Sequence, residues 1–164
     1  MKYVKWIFVI CIVCFFTSFI EIGKPTTGLT VGHKAPDFAL RSTISTNNSS
    51  KVKSKYTLLC FWSAYDASSR ITNMQLSHAS AALGQEVQLI SISFDPYASI
   101  FKETLKQDHL TNLSAFAVDT RGVNSPLYKR YKLENGFGSY LLDENNRIIA
   151  KNITGTELKN YFNE

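Results

Sequence analysis

Strand and helix patterns alternate along most of the chain after residue 55. Residues 56–62 (YTLLCFW) form a continuous apolar run, typical of a strand buried on both faces, and residues 87–94 (VQLISISF) predict a second buried strand. Between them, residues 68–83 place apolar side chains at helical spacing, and Gly84 follows as a helix-ending glycine. The pattern predicts a strand–helix–strand unit.

The second half of the chain continues the alternation. We expect a helix at 97–108, a strand at 115–118 ending at Asp119, and a short helix at 126–131. Strands at 139–142 and 147–150 flank a turn, and a last helix at 154–162 begins with Thr154 and Glu157, the spacing of a capping box. These elements predict one α/β domain, residues 31–164, with helices flanking a central mixed sheet.

The first 23 residues predict a membrane anchor or a signal peptide. Lys2 and Lys5 precede an apolar run at 6–20, and no convincing small-residue cleavage site follows it. We favour an uncleaved anchor with its N-terminus in the cytoplasm. A cleaved signal peptide is the alternative. In both cases residues 24–30 are a linker, and the domain faces the periplasm or another extracytoplasmic space.

Three cysteines are present, and none is placed for redox chemistry. Cys11 and Cys14 have C-x-x-C spacing but lie inside the apolar run, where a thiolate is strongly disfavoured, so we interpret them as small hydrophobic residues. Cys60 is the single cysteine of the predicted domain and lies in a predicted buried strand, where we expect it to be inert.

Composition and charge narrow the possible partners. The 164 residues are 45% hydrophobic, which allows a sizeable core, and the net charge is +5. This mild excess suits a position near an anionic membrane surface. It does not indicate a nucleic-acid partner.

Three motifs resemble the redoxin family. Residues 31–40 (VGHKAPDFAL) resemble the opening motif of that family, which includes the AhpC/TSA proteins. Residues 57–65 (TLLCFWSAY) and 139–149 (SYLLDENNRII) resemble segments of the membrane-anchored thiol–disulfide oxidoreductases of the TlpA/ResA kind. The resemblance covers nearly all of the chain after residue 30 and implies a thioredoxin-like fold.

The same resemblance implies a redox motif that this chain lacks. In the family, a C-x-x-C pair at a helix N-terminus supplies an attacking thiolate and a resolving thiol. Here the next four residues are Asp66, Ala67, Ser68 and Ser69, so Asp66 replaces the attacking cysteine and Ser69 the resolving one.

The family's second hallmark, a cis-proline facing the cysteines, is also missing. Phe137 is the expected equivalent, and a one-residue shift would make it Gly138. Because a non-proline cis bond costs about 2.5–4 kcal/mol, we expect a trans peptide here.

Asp66 has a structural and a functional interpretation. Its carboxylate suits a helix N-cap, and Arg70 at i+4 could pair with it. It could also be an acidic contact point on the former redox face. A serine nucleophile at Ser68 or Ser69 would need a nearby base, whereas the histidines, His33, His78 and His109, are scattered, which also argues against a metal site.

The sequence therefore predicts a non-catalytic module that binds an envelope protein through the former redox face. We expect the contact residues to be Trp62, Tyr65, Asp66 and Phe137, with no cofactor. The alternative is an enzyme, a thiol–disulfide oxidoreductase or peroxidase, as the family implies. A third hypothesis is a substrate-binding groove lined by Trp62, Tyr65 and Phe137.

Overall fold

The computed structural model describes residues 28–38, 54–110 and 115–163. A five-stranded sheet carries helices on both faces. The strands are β1 (Tyr56–Trp62), β2 (Val87–Ser93), β3 (Ala115–Val118), β4 (Ser139–Leu142) and β5 (Ile148–Lys151), and the helices are α1 (Ala67–Leu83), α2 (Ala98–Gln107), α3 (Pro126–Arg130) and α4 (Gly155–Asn163). Each predicted strand and helix after residue 55 is confirmed to within one residue at either end.

The sheet is mixed, with strand order β3-β2-β1-β4-β5. Strand β1 runs parallel to β2, and β2 runs parallel to β3. Strand β4 runs antiparallel to both β1 and β5. The carboxyl ends of β1, β2 and β3 and the beginning of β4 therefore meet at one edge, which we call the site edge.

Alternating residues of β1 divide the core into two layers. Leu58, Cys60 and Trp62 face the layer that contains α1, α2 and α4. Leu59 and Phe61 face the opposite layer, with α3 and residues 28–38. Because both faces are covered, β1 is apolar throughout, as the sequence predicts.

Local interactions explain where the helices begin. The side chain of Asp66 caps α1, and that of Ser125 caps α3, in which Pro126 occupies the first turn. The predicted capping box is confirmed at α4, where Glu157 accepts a hydrogen bond from the Thr154 amide at 2.8 Å and Thr154 accepts one from the Glu157 amide at 3.2 Å.

The segment before Pro36 contacts the sheet through one residue pair. Lys34 and Arg147 form an isolated antiparallel β-bridge. Pro36 has no amide proton and cannot continue the ladder. Instead its carbonyl accepts a hydrogen bond of 2.7 Å from the Tyr131 hydroxyl.

Several predictions fall on residues outside the described ranges. These are the membrane segment at 1–23, most of the linker and the polar loop at 41–53. Among the described helices, none has the length and apolar character needed to cross a bilayer.

Candidate functional site

A buried carboxylate organises the loop that follows β1. Asp95, 1% exposed, accepts hydrogen bonds from the Ser63 hydroxyl at 2.5 Å and the Ser93 hydroxyl at 2.5 Å. The Ala64 amide donates to both of its oxygens, at 2.9 and 3.1 Å. The partners of this carboxylate are therefore hydroxyl and amide groups, and no basic side chain among the described residues donates a hydrogen bond to it. Asp95 thereby joins the loop after β1 to the loop after β2.

The first turn of α1 lies directly above this loop. Asp66 accepts a hydrogen bond from the Ser69 amide at 2.7 Å, which confirms the predicted N-cap. The Ser69 hydroxyl donates to the Asp66 carbonyl at 3.1 Å and accepts from the Ser63 amide at 3.3 Å. Since Ser69 is largely buried and its hydroxyl is engaged with backbone groups, it serves to fix the turn.

Arg70 does not pair with Asp66, contrary to the predicted i+4 contact. Its guanidinium instead forms a bidentate pair with Asp108 at the end of α2, with distances of 2.8 and 2.5 Å. The hydrogen bonds that Arg70 donates to Asp108 raise the pKa of Arg70. The pair ties the beginning of α1 to α2 and leaves the second oxygen of Asp66 available at the surface.

An aromatic cluster flanks Asp66. Tyr65 is 67% exposed, and its ring packs edge-on against Phe137, with centroids 6.3 Å apart. Phe137 stacks in turn on the buried Phe94 and contacts Tyr128 edge-on. Burial, together with the nearby Tyr65 hydroxyl, raises the pKa of Tyr128. The three surface residues Tyr65, Asp66 and Phe137 form what we call the rim.

Two glycines place Phe137 in the rim. Gly136 has a φ of +117°, a conformation that side chains rarely adopt. A Cβ at Gly138 would lie 2.5 Å from Oδ1 of Asn152, so a larger residue there would displace the Asn152 side chain. All peptide bonds of the described residues are trans, including those on either side of Phe137.

Trp62 is not part of the rim, which corrects its predicted place on the binding face. Its side chain is fully buried and packs on Phe101, with centroids 6.2 Å apart. The alternation of β1 points Trp62 beneath α1 and α2, whereas Tyr65 lies beyond the strand end and points outward. The aromatic groove of the third hypothesis therefore lacks one of its three predicted residues.

Cys60 lies in the core, as predicted. It is 1% exposed, in the middle of β1 between Ser91 and Ser139 on the neighbouring strands. Burial raises the pKa of its thiol to about 12, so the thiolate is scarcely populated at neutral pH. It is the one cysteine among the described residues.

Sequence reasoning missed the role of two aspartates at the site edge. Asp95 follows β2 and Asp119 follows β3, where the ends of parallel strands converge. Arg121 donates to Asp119 at 2.8 and 2.6 Å, and Ser125 donates at 2.5 Å. Burial opposes the charge of Asp119, but these donors hold its pKa below the ordinary value. The signal in the sequence is an aspartate one or two residues after each of these two strands.

The described residues hold no group of three or more metal-ligating side chains. His78 lies on α1 beyond the first turn, His109 follows α2, and His33 belongs to the N-terminal segment. The site edge therefore offers an exposed aromatic pair, one partly exposed carboxylate and a rigid loop, a combination suited to binding.

The strand order and the loop-to-helix site define a thioredoxin-like protein. The chain is similar to a thioredoxin-like protein from Parabacteroides distasonis, at 38% identity and a TM-score of 0.75, with 86% of this chain and 100% of that chain covered. No protein-family model and no curated protein sequence matches it. The chain belongs to the thioredoxin-like family, which confirms the resemblance carried by its three motifs.

More distant solved structures share the fold. The thioredoxin domain of a thiol–disulfide oxidoreductase from Bacteroides vulgatus is 21% identical, with a TM-score of 0.65, and the match covers 83% of this chain and 97% of that domain. StoA from Bacillus subtilis is also 21% identical, with a TM-score of 0.54, and the match covers 66% of this chain and 83% of that one.

Proposed function

We propose that this chain is a membrane-anchored, extracytoplasmic thioredoxin-like protein that binds an envelope protein and carries out no redox chemistry. Its N-terminal segment would hold it at the membrane, and the rim of Tyr65, Asp66 and Phe137 would contact the partner. The observation that carries this proposal is the sequence at the start of α1, where the resemblance aligns Asp66 and Ser69 with the family's two cysteines.

The hydrogen bonds of that turn support the proposal. A thiolate at a helix N-terminus is stabilised by the free amides and by the helix dipole. Here the Asp66 carboxylate already accepts the Ser69 amide at 2.7 Å. The helix end thus binds a carboxylate, which cannot attack a disulfide. Because this turn contains no thiol, it cannot change its oxidation state.

The exposure of the rim supports a binding role. Tyr65 is the most exposed large hydrophobic side chain among the described residues, at 67%, yet its ring is held against Phe137. A rigid aromatic pair loses little conformational freedom when it contacts a partner, and such residues often dominate binding energy. The rigid loop beneath it, fixed by Asp95, keeps the pair in place.

The alternative is an enzyme, either a thiol–disulfide oxidoreductase, as the Bacteroides vulgatus protein is named, or a peroxidase. Within the domain, that chemistry would have to use Cys60, because Cys11 and Cys14 belong to the predicted membrane segment. A buried thiol with a pKa of about 12 is poorly suited to attack a partner disulfide.

Insulin reduction by dithiothreitol tests the two functions directly. We expect the full chain in detergent to leave the rate at the level without protein, and the double variant Asp66→Cys, Ser69→Cys to raise it. The single variant Asp66→Cys, which has no resolving thiol, is the matched control. Acceleration by the unmodified chain that disappears in Cys60→Ser would overturn the proposal in favour of the enzyme.

A further inference from the structure

A basic groove runs beside Phe137, on the sheet face that carries α3. Its volume is about 880 Å³. Three cations line it, Arg130, Lys132 and Lys151, whereas Asp37 is the one carboxylate among its described lining residues. Phe137 forms part of its wall and also belongs to the rim, so the groove and the rim are continuous.

The cations are placed by contacts other than ion pairs. Arg130 donates a hydrogen bond to the carbonyl of Asp37, and the Nζ of Lys151 lies 5.5 Å from the centroid of the Tyr140 ring. Lys132 has a φ of +52°, which is uncommon for a residue other than glycine. Within the described ranges none of these three side chains forms a salt bridge. The groove therefore carries a positive charge that the described carboxylates leave largely uncompensated.

The form of the groove indicates the form of its ligand. All three cations are exposed, so none is desolvated in the way that a tight site for one small anion requires. Charges spread along an open groove suit an extended chain that carries several negative groups. Since the ring of Phe137 forms part of the groove wall and packs against Tyr65, such a chain would also present apolar side chains.

We propose that the groove binds an acidic peptide segment of the partner protein, with an apolar side chain of that segment on Tyr65 and Phe137. This inference rests on the proposed function, to which it adds the chemistry of the partner. The segment's carboxylates pair with Arg130, Lys132 and Lys151, and the rim supplies apolar contact area. Charge complementarity of this kind gives selectivity and rapid association.

Fluorescence anisotropy with three labelled ten-residue peptides tests the inference on the full chain in zwitterionic nanodiscs. The peptides alternate leucine with glutamate, glutamine or lysine. We expect the glutamate peptide to bind at least about tenfold more tightly than the glutamine peptide, with an affinity that falls as salt rises. The double variant Lys132→Glu, Lys151→Glu should remove this preference. Lys102→Glu with Lys106→Glu, the same charge change on α2 across the sheet, should retain it.

The outcomes separate the groove from the rim. Equal binding of the glutamate and glutamine peptides, lost in Phe137→Ala, would overturn the acidic segment and leave the binding face intact. Selective binding of the glutamate peptide that survives Tyr65→Ala and Phe137→Ala would support the groove and remove the rim from the proposed function. Failure of the unmodified chain to bind the glutamate peptide would overturn the inference.

Discussion

The site edge has an inner layer and an outer layer, and different forces hold the two. The inner layer consists of Trp62, Ser63 and Asp95, all of which are buried; Ser63 donates a hydrogen bond to Asp95, and Trp62 packs in the core. The outer layer is the rim, in which Tyr65 is 67% exposed and Asp66 is half-buried. The inner layer holds the loop in position, and the outer layer presents its surface to other molecules.

The hydrogen bonds that Asp95 accepts do not involve the residues at the start of α1. Their donors are the Ser63 and Ser93 hydroxyls and the Ala64 amide. The loop can therefore keep its geometry when the residues at the helix start change. A rigid loop with a new surface is what the proposed binding function needs.

The largest contrast is expected between two aromatic residues three positions apart. Trp62→Ala removes a fully buried side chain and should lower the free energy of unfolding by about 3–5 kcal/mol. Tyr65→Ala removes an exposed one and should lower it by less than about 1 kcal/mol. Urea unfolding of the two variants measures the difference, and similar losses would contradict the division into layers.

Asp95 tests the polar part of the inner layer. Asp95→Ala leaves the Ser63 and Ser93 hydroxyls and the Ala64 amide without their acceptor, and should destabilise the fold by about 2–3 kcal/mol. Asp37→Ala, which removes an exposed carboxylate, is the matched control and should change stability by less than about 0.5 kcal/mol. Equal effects in thermal unfolding would show that Asp95 does not hold the loop.

Asp66 should contribute less to stability than Asp95, since it caps one helix and belongs to the outer layer. Asp66→Ala removes the acceptor of the Ser69 amide and should destabilise by about 1 kcal/mol. Asp66→Asn keeps the acceptor and should change stability by only a few tenths of that amount. Chemical unfolding of both variants measures the cap. Equal losses in the two variants would indicate that the charge, and not the hydrogen bond, is what matters.

The smallest expected effect is the pH dependence of the stabilisation that Asp119 contributes to the fold. Because its folded pKa is lowered, the ionised carboxylate stabilises the fold above its ordinary pKa, and this contribution is lost as the pH falls through the lowered value. Asp119→Asn should therefore be less stable than the unmodified chain at neutral pH, and the gap should narrow below about pH 4. Unfolding curves across that range measure the gap. A gap that widens in acid would reverse the assigned direction.

Local patterns were enough to predict the elements but not the contacts between them. The apolar run of β1, the spacing along α1 and the Thr154–Glu157 capping box are local signals, and the structure confirms each. The β-bridge between Lys34 and Arg147 was not predicted, because it depends on a partner far along the chain.

The site was predicted in part for the same reason. Asp66 as a cap follows from its place before a helix, whereas the pairing of Arg70 with Asp108 joins residues 38 positions apart. Trp62 was assigned to the surface from its proximity to Tyr65, although strand alternation points it inward. The groove joins residues from α3, β5 and the N-terminal segment, which only the folded chain brings together.

Disulfide closure tests most directly the proposal that positions 66 and 69 have the geometry of the family's redox pair. In a background with Cys11, Cys14 and Cys60 changed to serine, the Asp66→Cys, Ser69→Cys variant is oxidised with diamide and its free thiols are counted by alkylation and mass spectrometry. We predict rapid loss of both thiols within one chain, and much slower closure in the control variant Asp66→Cys, Ser68→Cys. Equal closure of both pairs, or closure of neither, would contradict the account that this fold kept the site and lost its chemistry.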